Sequence, residues 1–395
     1  MNDINEWIVH SRGLFKYFNY SLILQMLPLL AISSWLVYEI SPALFHKQMV
    51  YYTIGFIVFL ISCFIPWRKI LWWFVPIFYV GNLILLIAVE FVGKKILGAQ
   101  RWIEIPFTSF TIQPSEFIKV SVLMMLAYLI SKKPPSVKGY NLKEFIKLSV
   151  IILIPFLLIA KEPDLGTALV LLITGYGTLF IVGINWKIWL FIAVGLGLTA
   201  PLLYANLHDY QKKRISDFVG KPSYHVQQAL IAIGSGGLKG KAKDNATQTQ
   251  LKFLPISSSD FIFAYLGERL GFIGMMSVIL LYIFLIFHLM HITTSNTTDY
   301  LVITFSSGLA FLFFIYMGVN IYMIIGLAPV VGLPLPIFSH GGTSFIIFAI
   351  IFGILENLLA FKKELLYNSD SKVIMSSKKK SSERKRVIPQ KQTGL

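Results

Sequence analysis

A single cysteine, Cys63, leaves no intramolecular disulfide and no cysteine-built metal cluster. It lies inside an apolar run, where a small core side chain is its ordinary use. Charge is scarce as well: Asp, Glu, Lys and Arg make up 14% of the 395 residues, against 56% hydrophobic residues and a mean hydropathy of +0.70. Soluble domains carry about 25% charged and about 45–50% apolar residues, so a soluble multi-domain protein of this length is excluded. Acids are the scarcest charged group, 19 against 35 basic residues, and the formal net charge is +16. No cleavable signal peptide is recognisable. The first long apolar run, from Tyr20 to about Ile40, has no small-residue cleavage site and is followed by further runs.

What is present is a series of apolar runs long enough to cross a bilayer, roughly 17–25 residues each. Windows near 20–40, 48–66, 70–91, 114–131, 145–160, 164–184, 187–207, 260–288, 299–322 and 343–361 predict an all-α integral membrane protein with about ten transmembrane helices. Lys161-Glu162-Pro163-Asp164 and Ile184-Asn185-Trp186-Lys187 are tight turns between neighbouring spans in this reading. An even number of spans puts both termini on one side. Arg12, Lys16, Arg68-Lys69, Lys132-Lys133, Lys138, Lys143 and Lys187 fall on that same side, so the positive-inside rule makes both termini cytoplasmic.

Residues 1–361 form the membrane domain, and 362–395 form a basic cytoplasmic tail expected to be disordered. The tail carries Lys378-Lys379-Lys380 and Arg384-Lys385-Arg386, which suit anionic membrane lipids. No motif beside it supports nucleic-acid binding. The opposite side keeps one long outer loop, about 208–259, expected to hold a short helix around Ala229 to Ile233 and a glycine-rich turn at Gly234-Ser235-Gly236-Gly237. Residues 328–344, with Pro329, Pro334, Pro336 and Gly341-Gly342, interrupt the last two spans. Irregular backbone at membrane depth survives only where protein or a wet cavity surrounds it.

Residues able to carry chemistry gather on the outer side. Arg101-Trp102 offers a guanidinium fork for phosphate and a flat ring for a sugar, or else an interfacial anchor. Glu116 and Lys119, three apart after Gln113-Pro114, share a helix face and form either a structural ion pair or part of a polar cavity. Asp164 opens a span, where a carboxylate caps the helix or serves a site. Asp260 closes the long loop after three serines, with Glu268 two turns further in. The segment Gly332 to Ser344, with Ser339 as a candidate cavity residue, forces a turn that exposes backbone N–H groups to an anion.

The strings GAQRW, QPSEFIK, EPDLGT, SDFIFAYLGERLGF and GLPLPIFSHGGTS, in this order, resemble the SEDS family (shape, elongation, division and sporulation) of RodA and FtsW, over about residues 20–361. Val330-Val331 before Gly332-Leu333-Pro334 looks more like the RodA branch. The resemblance implies a peptidoglycan glycosyltransferase of the bacterial cytoplasmic (inner) membrane, polymerising lipid II, with a class B penicillin-binding protein as partner. It places Asp260 on the family's essential aspartate, and Asp164, Glu116, Lys119, Arg101 and Trp102 on other functional or cavity positions. Ile256 departs from a usual Glu, Ser259 from a Thr and His340 from a common Tyr.

On this reading Asp260 is the catalytic base. Lys212, Lys213, Arg214, Lys239 and Lys241, with Arg101 and Lys119, hold the pyrophosphates. A divalent cation such as Mg2+ is a possible assistant whose ligands the sequence does not identify, and no organic cofactor is expected. The alternatives are a lipid II flippase, which would use the same cations, the division paralogue with the same chemistry, and a non-catalytic scaffold.

Overall fold

The computed structural model describes residues 18–96, 99–104, 111–162, 164–205, 212, 223–251, 253–254, 257–296 and 298–360. Each expected span coincides with a helix. The first five are α1 (Tyr20–Ile40), α2 (Pro42–Phe64), α3 (Trp67–Val92), α4 (Pro114–Lys132) and α5 (Leu142–Lys161). Next come α6 (Leu165–Val182) and α7 (Trp186–Ala205), then two helices of the long loop, α8 (Tyr224–Gly236) and α9 (Thr247–Gln250). The last three are α10 (Ile262–Ser295), α11 (Tyr300–Ile324) and α12 (Gly342–Ala360).

Eight of these, α1–α4, α6 and α10–α12, are long and apolar enough to cross a membrane. The other two expected spans are α5, which carries Lys143, Glu144 and Lys147 in its first two turns, and α7, which is apolar over Trp186–Thr199. Helices α4, α6, α11 and α12 are more than half buried and form the centre, while α1, α2, α3 and α10 turn most of their surface outward. Trp72, Phe91 and Phe284 are among the large apolar groups on that outer surface, which in a bilayer meets lipid.

The helix ends follow local chemistry. Ser41 alone separates α1 from α2, and Pro42 starts the second helix six residues before its hydropathy window opens. Asn141 and Asp164 cap α5 and α6 by accepting from Glu144 N and Thr167 N. The short helix expected around Ala229 is present as α8. One departure from an all-helical chain is a small antiparallel ribbon, β1 (Lys94–Ile96), β2 (Ala99–Glu104) and β3 (Thr111–Ile112), in that order. Short segments between spans are easily taken for loop, and only their backbone pairing, such as Ile103 with Ile112, reveals strands. The tail expected at 362–395 lies outside the described residues.

Candidate active site

Strand β2 brings Arg101 to the junction of α5 and α6. Its Nε donates to the Glu162 carbonyl at 3.2 Å, and its Nη1 lies 3.5 Å from Asp164 Oδ1. Asp164 also accepts from Thr167 N (3.3 Å) and from the Gln113 side-chain amide (3.2 Å). Three donors thus converge on a carboxylate that is 4% exposed, so its buried oxygens are satisfied. Glu162 beside it is equally buried but has no hydrogen-bond partner on either carboxyl oxygen. Burial, with the charges of Asp164 and Glu90 against that of Arg101, pushes its carboxyl up to about 8.

On α4, Lys119 and Glu116 form the expected pair at 2.5 Å, and Lys119 also donates to the Tyr316 hydroxyl of α11. Lys119 is fully enclosed, so this pair sits deeper than the open cavity wall that the spacing suggested. One turn beyond Tyr316, the Asn320 side-chain amide donates to two backbone carbonyls, Asp260 at 2.9 Å and Leu333 at 2.7 Å. Two side chains of α11 therefore anchor both flanks of the cluster.

The turn before α10 holds Asp260 against the 328–341 segment. Ser339 Oγ donates to Ser259 O at 2.8 Å and accepts from Leu335 N at 2.8 Å, while His340 N donates to Ser258 O at 2.9 Å. Gly332 has φ +68°, and a Cβ there would stand 3.4 Å from Asp260 Oδ2. Its neighbour Val331 packs on Gly166, two residues after Asp164. Val331-Gly332 is thus a two-residue bridge between the Asp164 group and Asp260. Burial raises the proton affinity of the Asp260 carboxyl, and a hydrogen bond from the Ser259 hydroxyl works against that rise.

Asp260, Asp164, Glu116, Lys119, Arg101 and Ser339 therefore meet at one end of the bundle. Trp102 does not join Arg101 as one binding pad, because successive side chains on a strand point to opposite faces. Lys212 is half-buried and donates to Ala205 O at 2.9 Å; Lys213, Arg214 and Ile256 lie outside the described residues. Glu268 is occupied structurally, since its carboxylate accepts from Gln248 N, Thr249 N and the Thr249 hydroxyl and so caps α9. Gln113, Glu162, Tyr316 and Asn320 are the members that sequence reasoning did not single out. An Asn inside an apolar span was the available signal for one of them. For the divalent cation, the described residues hold no group of three or more His, Cys, Asp or Glu spaced as ligands. Those residues do not form a dedicated cage.

The chain matches the profile of the FTSW_RODA_SPOVE family, described as cell cycle protein, over residues 14–364. It is 51% identical over 345 residues to peptidoglycan glycosyltransferase MrdB of Helicobacter pylori, covering 87% of this chain and 90% of the relative. MrdB of Escherichia coli K12 is 36% identical over 361 residues (87% and 94%). A probable peptidoglycan glycosyltransferase FtsW from another Escherichia coli strain is 33% identical over 320 residues (78% and 75%). Among solved structures, a chain of a peptidoglycan synthase complex superposes with TM-score 0.75 at 24% identity, covering 87% of this chain and 97% of that one. Rod shape determining protein RodA of Thermus thermophilus gives TM-score 0.64 at 24% identity (87% and 96%). With ten helices in the expected order, a full-length profile match and relatives aligned almost end to end, this multi-pass membrane protein belongs to the FtsW/RodA/SpoVE family.

Proposed function

We propose that this chain is a peptidoglycan glycosyltransferase of the RodA branch, polymerising lipid II into glycan strands in the bacterial inner membrane. Relatives that carry that enzyme name align over most of its length, and identity to the MrdB proteins (51% and 36%) exceeds that to the FtsW relative (33%). The observation that carries the mechanism is the position of Asp260: a half-buried carboxyl with raised proton affinity, one two-residue bridge away from Asp164 and its Arg101 partner.

In this reaction the acceptor sugar's 4-hydroxyl oxygen attacks C1 of the donor sugar. The bond from C1 to the pyrophosphate oxygen breaks, and the pyrophosphate leaves with both electrons. Asp260 takes the hydroxyl proton, a role worth roughly 10²–10⁴-fold for a positioned base. Positive charge from Arg101, Lys119 and the cations of the long loop, Lys212 and Arg214 among them, stabilises the departing pyrophosphate. Lys119 contributes from behind the surface as a fixed charge, since its ammonium is committed to Glu116 and Tyr316. Ser339 keeps the Asp260 turn in register. A class B penicillin-binding protein is the partner that cross-links the product.

The test is polymerisation of purified lipid II by the detergent-solubilised protein with its transpeptidase partner, beside an Asp260→Ala variant. Long strands from the wild type, and a loss of about 10²-fold or more in a folded variant, are the expected outcome. Transport of lipid II without strands would instead establish the flippase, and full activity in the variant would remove Asp260 from the chemistry.

A further inference from the structure

Glu162 takes no part in the scheme above, and its setting is chemically unusual. It is 5% exposed with both carboxyl oxygens bare, so ionising it would remove a charge from water with nothing in exchange. Three charged side chains face it. Glu90 comes from α3 and pairs with Lys161 at 2.9 Å; Asp164 stands two residues on; Arg101 reaches in from β2. Two neighbouring carboxyls therefore depend on one guanidinium, and they share it unequally. Asp164 also has the Thr167 N–H and the Gln113 amide, whereas Glu162 offers Arg101 only its backbone carbonyl. Asp164 holds the donors, and Glu162, with none on its carboxyl, keeps a proton.

The geometry points to Glu162 as a positioning residue for glycosyl transfer: while neutral it leaves the Arg101 guanidinium to Asp164 and to an incoming phosphate, and once ionised it competes for that guanidinium and draws it inward. This rests on the reading of the chain as a polymerase of a lipid pyrophosphate. Nε is already anchored on the Glu162 carbonyl at 3.2 Å, which keeps the guanidinium beside this residue. Burial lifts the carboxyl to about 8, so the change falls inside the range of an activity assay. Arg101 holds the pyrophosphate both when bound and as it departs, so its withdrawal removes a contact common to ground and transition states; ionisation therefore raises KM and leaves kcat nearly constant.

The experiment follows lipid II polymerisation by the full-length protein with its transpeptidase partner between pH 7 and 9. Wild-type KM is expected to rise about tenfold across that range, as the competent fraction falls. In Glu162→Gln, whose amide cannot ionise, KM should vary less than about twofold over the same range. Asp164→Asn is the second variant: without the neighbouring charge Glu162 ionises at lower pH, so the rise in KM moves to the acid side. A wild-type KM that stays flat, or the same rise in Glu162→Gln, overturns the proposal. If Glu162→Gln is not recovered folded, a rise that fails to move in Asp164→Asn does the same. The absence of strands from every protein at every pH overturns the polymerase reading itself, and is distinguishable from those results.

Discussion

As the proposed base, Asp260 depends on how its backbone is held and what surrounds its carboxyl. Asn320 fixes its carbonyl, the Gly332 backbone crosses in front of the carboxyl, and burial makes the ionised form costly. Ser259 is the one named group opposing that cost, because a hydroxyl donating to a carboxylate stabilises the charged form. Ser259→Ala therefore raises the proton affinity of Asp260 further. A base works only when ionised, so the acid limb of kcat/KM should move to higher pH in the variant, with activity converging on wild type at alkaline pH. A limb that stays in place or moves to lower pH would separate Ser259 from the base. Asp260, Asp164, Glu116 and Lys119 were legible in the sequence because acids and bases stand out at the ends of apolar runs. Tyr316 and Asn320 were not, since their partners are backbone and side-chain groups far away in the chain.

Among the elements, α10 couples the outer loop to the site. The helix is broken at Gly271, whose φ of 65° and ψ of −161° lie in a region essentially reserved for glycine. The break frees the N–H groups of Phe272 and Ile273, and these donate to Gly237 O (2.8 Å) and Leu238 O (3.2 Å) of the loop. Arg269, just before the break, holds both Glu39 oxygens of α1 at 2.7 Å, and Glu268 caps α9. The loop is thereby stitched into the first three turns of α10, which begins two residues after Asp260. A Cβ at residue 271 would press on the Leu238 carbonyl carbon at 2.6 Å and on Gly240 N. Gly271→Ala should cost about 1–3 kcal/mol from backbone strain alone, with the clash added. Gly318→Ala, in α11 with open space around its new Cβ, should leave stability level or slightly higher. Thermal unfolding of the two variants in the same detergent checks this, and equal midpoints would refute it. The windows of the ten helices were legible because bilayer-length apolar runs have few other uses. The break, the ribbon and the Glu268 cap depend on contacts between distant segments, which no local pattern records.

For the whole molecule, the order of the helices sets two unlike ends. Asp260, Asp164, Arg101 and Glu116 share one end, while Arg68 with Asp299 and Lys133 with Glu144 mark the other. Between the turn at Val137 and the loop at Leu238 lie α5, α6 and α7; with α5 and α7 counted as crossings beside α6, the ten-span expectation puts these two points on opposite sides of the membrane. The positive-inside rule assigns Val137, flanked by Lys132, Lys133, Lys138 and Lys143, to the cytoplasm, and Leu238 to the outside. Both side chains are exposed, and the sole cysteine, Cys63, is buried. Single cysteines at 137 and 238 in a Cys63→Ser background can therefore be read without interference. In intact spheroplasts a membrane-impermeant maleimide should label position 238 at once and position 137 only after permeabilisation. Labelling of both from one side would break the span count, and the reverse pattern would invert the molecule. Either result would move the Asp260 cluster away from the side on which glycan strands are built, and with it the case for Asp260 as the base.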